Sequence, residues 1–427
     1  MVLIIKGNSK KFVGEIRVPG DKSISHRSIM IGSIANGHST IEGILMSEDV
    51  IRTIEAFKSM GVNIRKDDEK IYVEGVGLKG LKKPISEIYC GNSGTTMRLL
   101  AGILVGQDFS STLTGDESLS KRPMYRIINP LKQMNGNIKG RKDKFPPLMI
   151  EPSMNRLKGI DYRLPMASAQ VKSAILLATL YVKGSTRIRE DKISRDHTER
   201  MLNYFGCKIV NNNGLIYMDS NNILTGKDIT IPGDISSAAY FIVAATLIKN
   251  SNIIIRGVGL NPTRVGIINV LKKMGANIRI LNEDIVNNEP FGDIQITESK
   301  LRGILIDEDV IGTLIDEIPI ITVAACFAEG RTVIKGAEEL KYKESNRLMT
   351  ISRELKKMGA KIQLLSDGLI IDGVKELKGA SLDSYNDHRI AMALSIAALL
   401  AQGESKINNY ECVNISYPDF YNTLFNL

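Results

Sequence analysis

Apolar positions along this chain recur in six similar blocks. In each, a run of apolar and small residues ends at a break, and a short Ser/Thr-led or β-branched strand follows. The blocks are Ile29–Gly37 then Ser39–Ile44, Leu99–Gly106 then Ser110–Leu113, and Ile175–Gly184 then Ser185–Ile188. The other three are Phe241–Asn250 then Ser251–Ile255, Ile320–Gly330 then Arg331–Ile334, and Ala391–Gly403 then Glu404–Ile407. Several runs, notably Ile390–Leu400, are apolar almost all round. A helix of that kind must be covered on every side, so these runs predict helices buried inside a ring of sheets. A second helix follows each block, and five end alike at Gly61, Gly136, Gly206, Gly275 and Gly359, where Gly is a natural C-cap. A β-rich stretch comes next, as in Val62–Ile64 then Lys70–Val73. The sixth second helix, Pro418–Leu427, closes the sequence, so its missing strands are expected from residues 2–18. The unit reads βαβαββ, about 70 residues long.

A larger repeat overlies the smaller one. Val18-Pro19-Gly20-Asp21-Lys22-Ser23 returns as Ile231-Pro232-Gly233-Asp234-Ile235-Ser236, half the chain away. The two copies mark crossings between two α/β domains of three βαβαββ repeats each. One domain is 21–232; the other joins 1–20 to 233–427. In the second copy Ile235 replaces Lys22 and Tyr240 replaces Arg27. A purely structural motif would keep similar residues in both places, so the charges of the first copy point to function.

Composition narrows the classes. A length of 427 residues with 43% hydrophobic and 24% charged residues is that of a globular, two-domain protein. Fifty-six basic against 47 acidic residues leave a net charge of +9, which suits acidic ligands. Aromatics are only 5%, with no Trp, so a stacking platform for nucleic-acid strands is poorly supplied. No apolar run is long enough to span a bilayer, and the opening Met1–Lys6 is too short for a signal peptide. Cys90, Cys207, Cys326 and Cys412 are isolated, and no two of the four His share a ligand spacing. The expectation is a reduced, cytoplasmic protein without a metal.

Candidate chemistry gathers where helices start. In Asp21-Lys22-Ser23-Ile24-Ser25-His26-Arg27, Asp21 or Ser23 can cap a helix whose free N–H groups favour an anion. Ser23 and Arg27, four apart, share a face beside Lys22. Gly91-Asn92-Ser93-Gly94-Thr95-Thr96-Met97-Arg98 is a Gly-rich turn that lets backbone approach a ligand. Leu119-Ser120-Lys121-Arg122-Pro123 places a basic pair before a helix-starting Pro. Ser168-Ala169-Gln170 opens the third apolar helix with a capping hydroxyl and an amide donor. Ser194-Arg195-Asp196-His197 opens another helix, and His197 reads as an orienting or capping residue. In the second half, Asp316-Glu317 precede an apolar helix. Lys343 and Arg347 share a helical face with Glu344 beside them. Asn386-Asp387-His388-Arg389 sets a charge at the mouth of a buried helix, where an idle charge is costly. If the helices within each domain run alike, their positive ends gather on one face. Two such faces meeting would enclose an electropositive cleft.

These residues closely resemble those of the EPSP synthases (3-phosphoshikimate 1-carboxyvinyltransferases), a family of enolpyruvyl transferases. The resemblance covers nearly the whole chain. It is carried by Gly20–Arg27, Gly91–Arg98, Ser168–Gln170, Lys343–Arg347 and Asn386–Arg389. It implies the two-domain enolpyruvyl transferase fold, with the active site in the cleft. It further implies transfer of the enolpyruvyl group of phosphoenolpyruvate to the 5-hydroxyl of shikimate 3-phosphate in the shikimate pathway. By resemblance Lys22, Ser23, Arg27, Ser168, Gln170, Ser194, Asp316 and Lys343 hold shikimate 3-phosphate. Lys22, Gly94, Arg122, Gln170, Arg347 and Arg389 hold phosphoenolpyruvate. No metal or other cofactor and no nucleic-acid or membrane partner is implied, and the expected state is a monomer. Each substrate carries a charge of about −2.5 to −3, against six named cations.

The implied chemistry is addition then elimination through a tetrahedral intermediate. Asp316 is the candidate base for the acceptor hydroxyl, with Lys22 and Glu344 the candidates for proton delivery. Glu344 lies among cations, which favour its charged form and make it a weak acid. Three positions depart from many family members: Ala169 where many have a second Ser, Glu339 where many have Asn, and Ile415-Ser416-Tyr417 where many carry a Lys. The nearest alternative is the sister transferase acting on UDP-N-acetylglucosamine. That family usually has a reactive Cys in the loop that corresponds to Gly115–Lys121, and none stands there. It also usually has Asn where this chain has Ser23. RNA terminal phosphate cyclases share the βαβαββ unit, but no nucleotide loop is evident. A non-catalytic anion- or nucleic-acid-binding repeat protein is the remaining alternative.

Overall fold

The computed structural model describes residues 1–7, 11–219 and 223–427. It separates into two compact units. The first-half unit is Gly20–Ile231 with Ile285–Glu289; the second-half unit is Met1–Pro19, Pro232–Asp284 and Pro290–Leu427. Among the described residues each unit contains three sheets. Five sheets have four strands, ordered first, second, fourth, third strand of the repeat. In all five the first and second strands are parallel, and the second and fourth antiparallel. This is the βαβαββ unit.

Three inner helices run through the first-half unit: Lys22–Ile34, Gly94–Leu104 and Ala169–Thr179. In the second-half unit they are Ile235–Leu247, Ile318–Cys326 and His388–Leu400. Every residue of Ile318–Cys326 is buried, as are all but the last of Ile235–Leu247. That is why their sequences are apolar on all sides. The outer helices, such as Glu48–Ser59 and Arg347–Lys357, bury one face only. The inner helices of the first-half unit pack closely. A Cβ on Gly102 would lie 2.3 Å from the Ala174 carbonyl oxygen, so glycine lets these two helices touch backbone to backbone.

The N-terminal segment corrects one expectation. Among the described residues only Val2–Lys6 completes the sixth sheet, antiparallel to Glu404–Asn408, and that sheet has three strands. Val13–Arg17 instead joins the fourth repeat, parallel to Asn252–Arg256. It supplies that repeat's first strand, as Ile229–Thr230 does for the first repeat beside Asn36–Glu42. Residues 8–10, part of the expected 2–18 segment, lie outside the described residues. No helix among the described residues is long and apolar enough to cross a membrane.

Candidate active site

In the first-half unit all three inner helices open on side-chain caps. Asp21 Oδ1 accepts from Ile24 N at 2.9 Å, Ser93 Oγ from Thr96 N at 3.1 Å, and Ser168 Oγ from Val171 N at 3.5 Å. The first cap is therefore Asp21, which leaves the half-buried Ser23 side chain out of that role. Lys22, at the first helical position, is ion-paired with Asp49 of the helix Glu48–Ser59. Arg27 is 4% exposed. Its Nη1 donates to the Ser23 carbonyl at 2.8 Å, its Nε to Thr198 Oγ1 at 2.6 Å and its Nη2 to Ser173 Oγ at 2.9 Å. Burial pushes the Arg27 pKa down to about 10, against the opposing pull of Glu199 and Asp21, so the guanidinium stays charged at neutral pH.

A second group forms around Gly94. Gln170 Oε1 accepts from Arg98 Nη1 at 2.5 Å, and its amide donates to Thr95 Oγ1 at 3.1 Å. Arg122 Nη2 donates to Asn92 Oδ1 at 2.5 Å and Nη1 to the Asn92 carbonyl at 3.3 Å. A Cβ on Gly94 would lie 3.0 Å from Arg98 Nη1 and 3.7 Å from Arg122 Nη1. Glycine thus leaves two guanidiniums access to a helix start, an arrangement suited to an anion. The expected helix-starting Pro123 stands ahead of the cap Met124, and the helix is Tyr125–Gln133. Ser194 is 5% exposed, and its hydroxyl donates to Glu190 Oε2 at 2.7 Å. Glu190 and Glu199 flank the fully buried Lys172 at 2.9 and 2.7 Å. Burial lowers the Lys172 pKa, but those two carboxylates outweigh it and raise it.

The second-half unit holds a denser cluster. Asp316, on the turn Ile315–Glu317, is 8% exposed. Its Oδ1 lies 3.4 Å from Lys343 Nζ and 3.2 Å from Arg347 Nη1, and its Oδ2 3.8 Å from Arg389 Nη2. Arg347, 2% exposed, also meets Glu344 Oε2 at 2.6 Å and grips Asp387 through Nε at 2.9 Å and Nη2 at 3.2 Å. Asp387 caps the helix His388–Leu400 by accepting from Arg389 N at 3.0 Å. Burial alone would lower the pKa of Arg347, yet Asp387, Glu344 and Asp316 outweigh it and raise it. Arg389 behaves likewise, with Asp316 the leading carboxylate. Lys343 and Arg347 do not share a helical face. The helix begins at Arg347 behind the cap Asn346, and Lys343 has extended backbone. They meet because both reach Asp316.

The structure therefore joins Asp316, Lys343, Glu344, Arg347 and Arg389 in one unit. In the other it links Arg27 with Ser23, and places the Arg98 and Arg122 guanidiniums beside Gly94, Arg98 holding Gln170 and Arg122 holding Asn92. Ser168 serves as a cap, and Ser194 is engaged by Glu190. Among the departures, Ala169 starts its helix and its carbonyl accepts from Ser173 Oγ at 2.6 Å. Ile415 ends the short turn Tyr410–Ile415. Sequence reasoning did not single out Asp49, Arg98, Asp387 or Glu317 as functional partners. Arg98, Asp387 and Glu317 lay inside the motifs that were noticed; Asp49 had no local signal. No group of three His, Cys, Asp or Glu side chains able to hold a metal ion occurs among the described residues.

Two units, each of three sheets around buried helices and built from βαβαββ repeats, define the class: an α/β protein with the enolpyruvyl transferase fold. The solved EPSP synthase from Acinetobacter baumannii superposes with a TM-score of 0.90 at 44% identity, covering 100% of this chain and 98% of that one. The family model described as EPSP synthase (3-phosphoshikimate 1-carboxyvinyltransferase) matches residues 7–424. The 3-phosphoshikimate 1-carboxyvinyltransferase of Thermoanaerobacter pseudethanolicus is 55% identical over 420 residues, 98% of this chain and 99% of its own. That of Brevibacillus brevis is 49% identical over 417 residues, 97% of each. The chain belongs to the EPSP synthase family.

Proposed function

We infer that this chain transfers the enolpyruvyl group of phosphoenolpyruvate to the 5-hydroxyl of shikimate 3-phosphate, releasing phosphate, in aromatic amino acid biosynthesis. The single observation that carries the reading is the Asp316 cluster: a carboxylate beside three cations at two helix starts, within a family whose members carry that name. In the reaction a proton adds to the methylene carbon of phosphoenolpyruvate, and the acceptor oxygen bonds to the neighbouring carbon as its proton leaves. The resulting tetrahedral intermediate loses a methyl proton and breaks its carbon–oxygen bond to phosphate. The products are an enolpyruvyl ether and phosphate.

Asp316 is the base for the acceptor hydroxyl; Lys343 and Arg347 pair with its carboxylate and orient it. Lys22 delivers the proton to the methylene carbon and is released from Asp49 as substrate anions arrive. Glu344, hydrogen-bonded to Arg347, takes the methyl proton of the intermediate rather than giving the first one. Lys22, Ser23, Arg27, Ser168, Gln170, Ser194, Asp316 and Lys343 hold shikimate 3-phosphate. Gly94, Arg122, Gln170, Arg347 and Arg389, with Lys22, hold phosphoenolpyruvate. The protein acts as a cytoplasmic monomer with no nucleic-acid partner. No cofactor is required, because the proton transfers and anion binding are supplied by side chains.

The test is phosphate release from phosphoenolpyruvate with either shikimate 3-phosphate or UDP-N-acetylglucosamine as acceptor, with Lys22→Ala alongside. Release with shikimate 3-phosphate only, lost in Lys22→Ala, is expected. Release only with the nucleotide sugar, or with neither, contradicts the reading.

A further inference from the structure

Glu317 stands beside Asp316 on the same turn and has no task in the reaction as described above. It is 1% exposed. Its Oε1 accepts from the Ser236 hydroxyl and lies 3.6 Å from Arg389 Nη1. Its Oε2 is buried without a hydrogen-bond partner. The Ser236 hydroxyl in turn accepts from Arg264 Nη2 at 2.9 Å, and that nitrogen also lies 3.1 Å from Asp234 Oδ1. Asp234 caps the helix Ile235–Leu247 through Ser236 N at 2.8 Å. Glu317 thus ties together the starts of all three inner helices of the second-half unit: Ser236 on the first, its own turn ahead of the second, and Arg389 on the third.

The two neighbouring carboxylates differ in what they can release. Asp316 has Lys343 and Arg347 as well as Arg389 within 3.8 Å. It can give up one cation and remain paired. Glu317 has Arg389 in direct ion-pair contact, whereas Arg264 reaches it through Ser236. A carboxylate this deep is strongly unfavourable once its cation leaves. When an anionic ligand arrives, Arg389 can therefore loosen the Nη2 contact with the Asp316 carboxylate at 3.8 Å, while Nη1 keeps Glu317 Oε1 and its hydrogen bond to the Asp316 carbonyl at 3.3 Å.

We propose that Glu317 is the positioning residue for Arg389, anchoring its guanidinium at the start of the helix His388–Leu400 before the anionic donor arrives. The proposal rests on the reading that Arg389 binds phosphoenolpyruvate. An anchored guanidinium loses less freedom on binding than a mobile one. It contributes to donor binding equally before and during the chemical step, so its loss changes KM rather than kcat.

Glu317→Gln preserves size and the hydrogen bond from Ser236 while removing the charge. Its KM for phosphoenolpyruvate should rise about tenfold, with kcat and the KM for shikimate 3-phosphate held within about twofold. Ser236→Ala, which removes the hydroxyl from Oε1, should raise the same KM about threefold. Wild-type enzyme is assayed first. If it transfers nothing, the underlying reading fails, whatever the variants do. If it is active and Glu317→Gln leaves the donor KM unchanged, the proposal is overturned. It is also overturned if both KM values rise equally while the melting temperature falls, because that marks general loosening. Should Glu317→Gln fail to fold, Ser236→Ala decides by the same split between the two KM values: no selective rise overturns the proposal.

Discussion

At the residue scale, the second-half cluster shows how a buried charge becomes useful. Arg347 meets Asp387, Asp316 and Glu344 at 2.6–3.2 Å and is 2% exposed. Its planar guanidinium makes four hydrogen bonds to three carboxylates, more than the three donors of an ammonium can supply. Arg347→Met strands those carboxylates and should cost about 3–5 kcal/mol of stability in urea denaturation. The corresponding Lys variant should restore only part of that loss; a Met variant as stable as wild type would contradict the account. In the other unit His26 Nδ1 lies 2.7 Å from Thr53 Oγ1, itself 2.7 Å from Thr96 Oγ1, which donates to Ser93 Oγ at 2.8 Å. Burial, then the cations Lys22 and Arg27, hold the His26 pKa well below 6.5. The unfolded chain therefore takes up a proton near pH 6.5 that the folded chain refuses. Stability is complete above that pH and falls as pH drops below it, by up to about 1.4 kcal/mol per pH unit. Urea denaturation between pH 7.5 and 5.5 should show a steeper loss in wild type than in His26→Gln. Equal slopes would contradict the assignment.

At the scale of elements, helix starts and helix contacts govern what the units can do. Gly102 and Gly32 both sit in inner helices but predict opposite outcomes. A Cβ at Gly102 meets the Ala174 carbonyl oxygen at 2.3 Å, whereas at Gly32 the nearest atom is Ser39 Oγ at 3.4 Å. Gly102→Ala should lose at least about 2 kcal/mol in denaturation. Gly32→Ala should be neutral or gain up to about 1 kcal/mol through helix propensity. A reversed order would show that the helix contact is misread. The inner helices were legible in the sequence because burial on all sides leaves no polar face to confuse the pattern. The outer helices were legible through their terminal glycines. The destination of Val13–Arg17 was not, because pairing across more than 200 residues leaves no local periodicity. Lys343 was misplaced on a helix because i,i+4 spacing looks the same whether or not the cap Asn346 intervenes. Lys172 was passed over in an apolar helix, since its partners Glu190 and Glu199 lie on other elements. The cationic helix starts were readable as motifs, with Asp316, Glu344 and Asp387 inside them, while Asp49, the partner of Lys22, came from elsewhere in the chain.

At the scale of the whole molecule, the proposed reaction assigns the chemistry to proton-carrying and anion-holding side chains and gives no role to a thiol. Burial pushes the thiols of Cys90, Cys207 and Cys326 up to about 12 and that of Cys412 up to about 11. None is a ready thiolate at neutral pH. Treatment with iodoacetamide at pH 7.5 should leave turnover essentially intact, and loss of activity at the rate of one thiol would contradict this. The central claim is that phosphate leaves by carbon–oxygen cleavage from a tetrahedral adduct of donor and acceptor. Phosphoenolpyruvate labelled with oxygen-18 at its bridging position tests it directly. During turnover with shikimate 3-phosphate, mass spectrometry should find the label in the released phosphate. Label retained in the carbon product, as pyruvate or as part of the acceptor adduct, would mean attack at phosphorus and would contradict the mechanism.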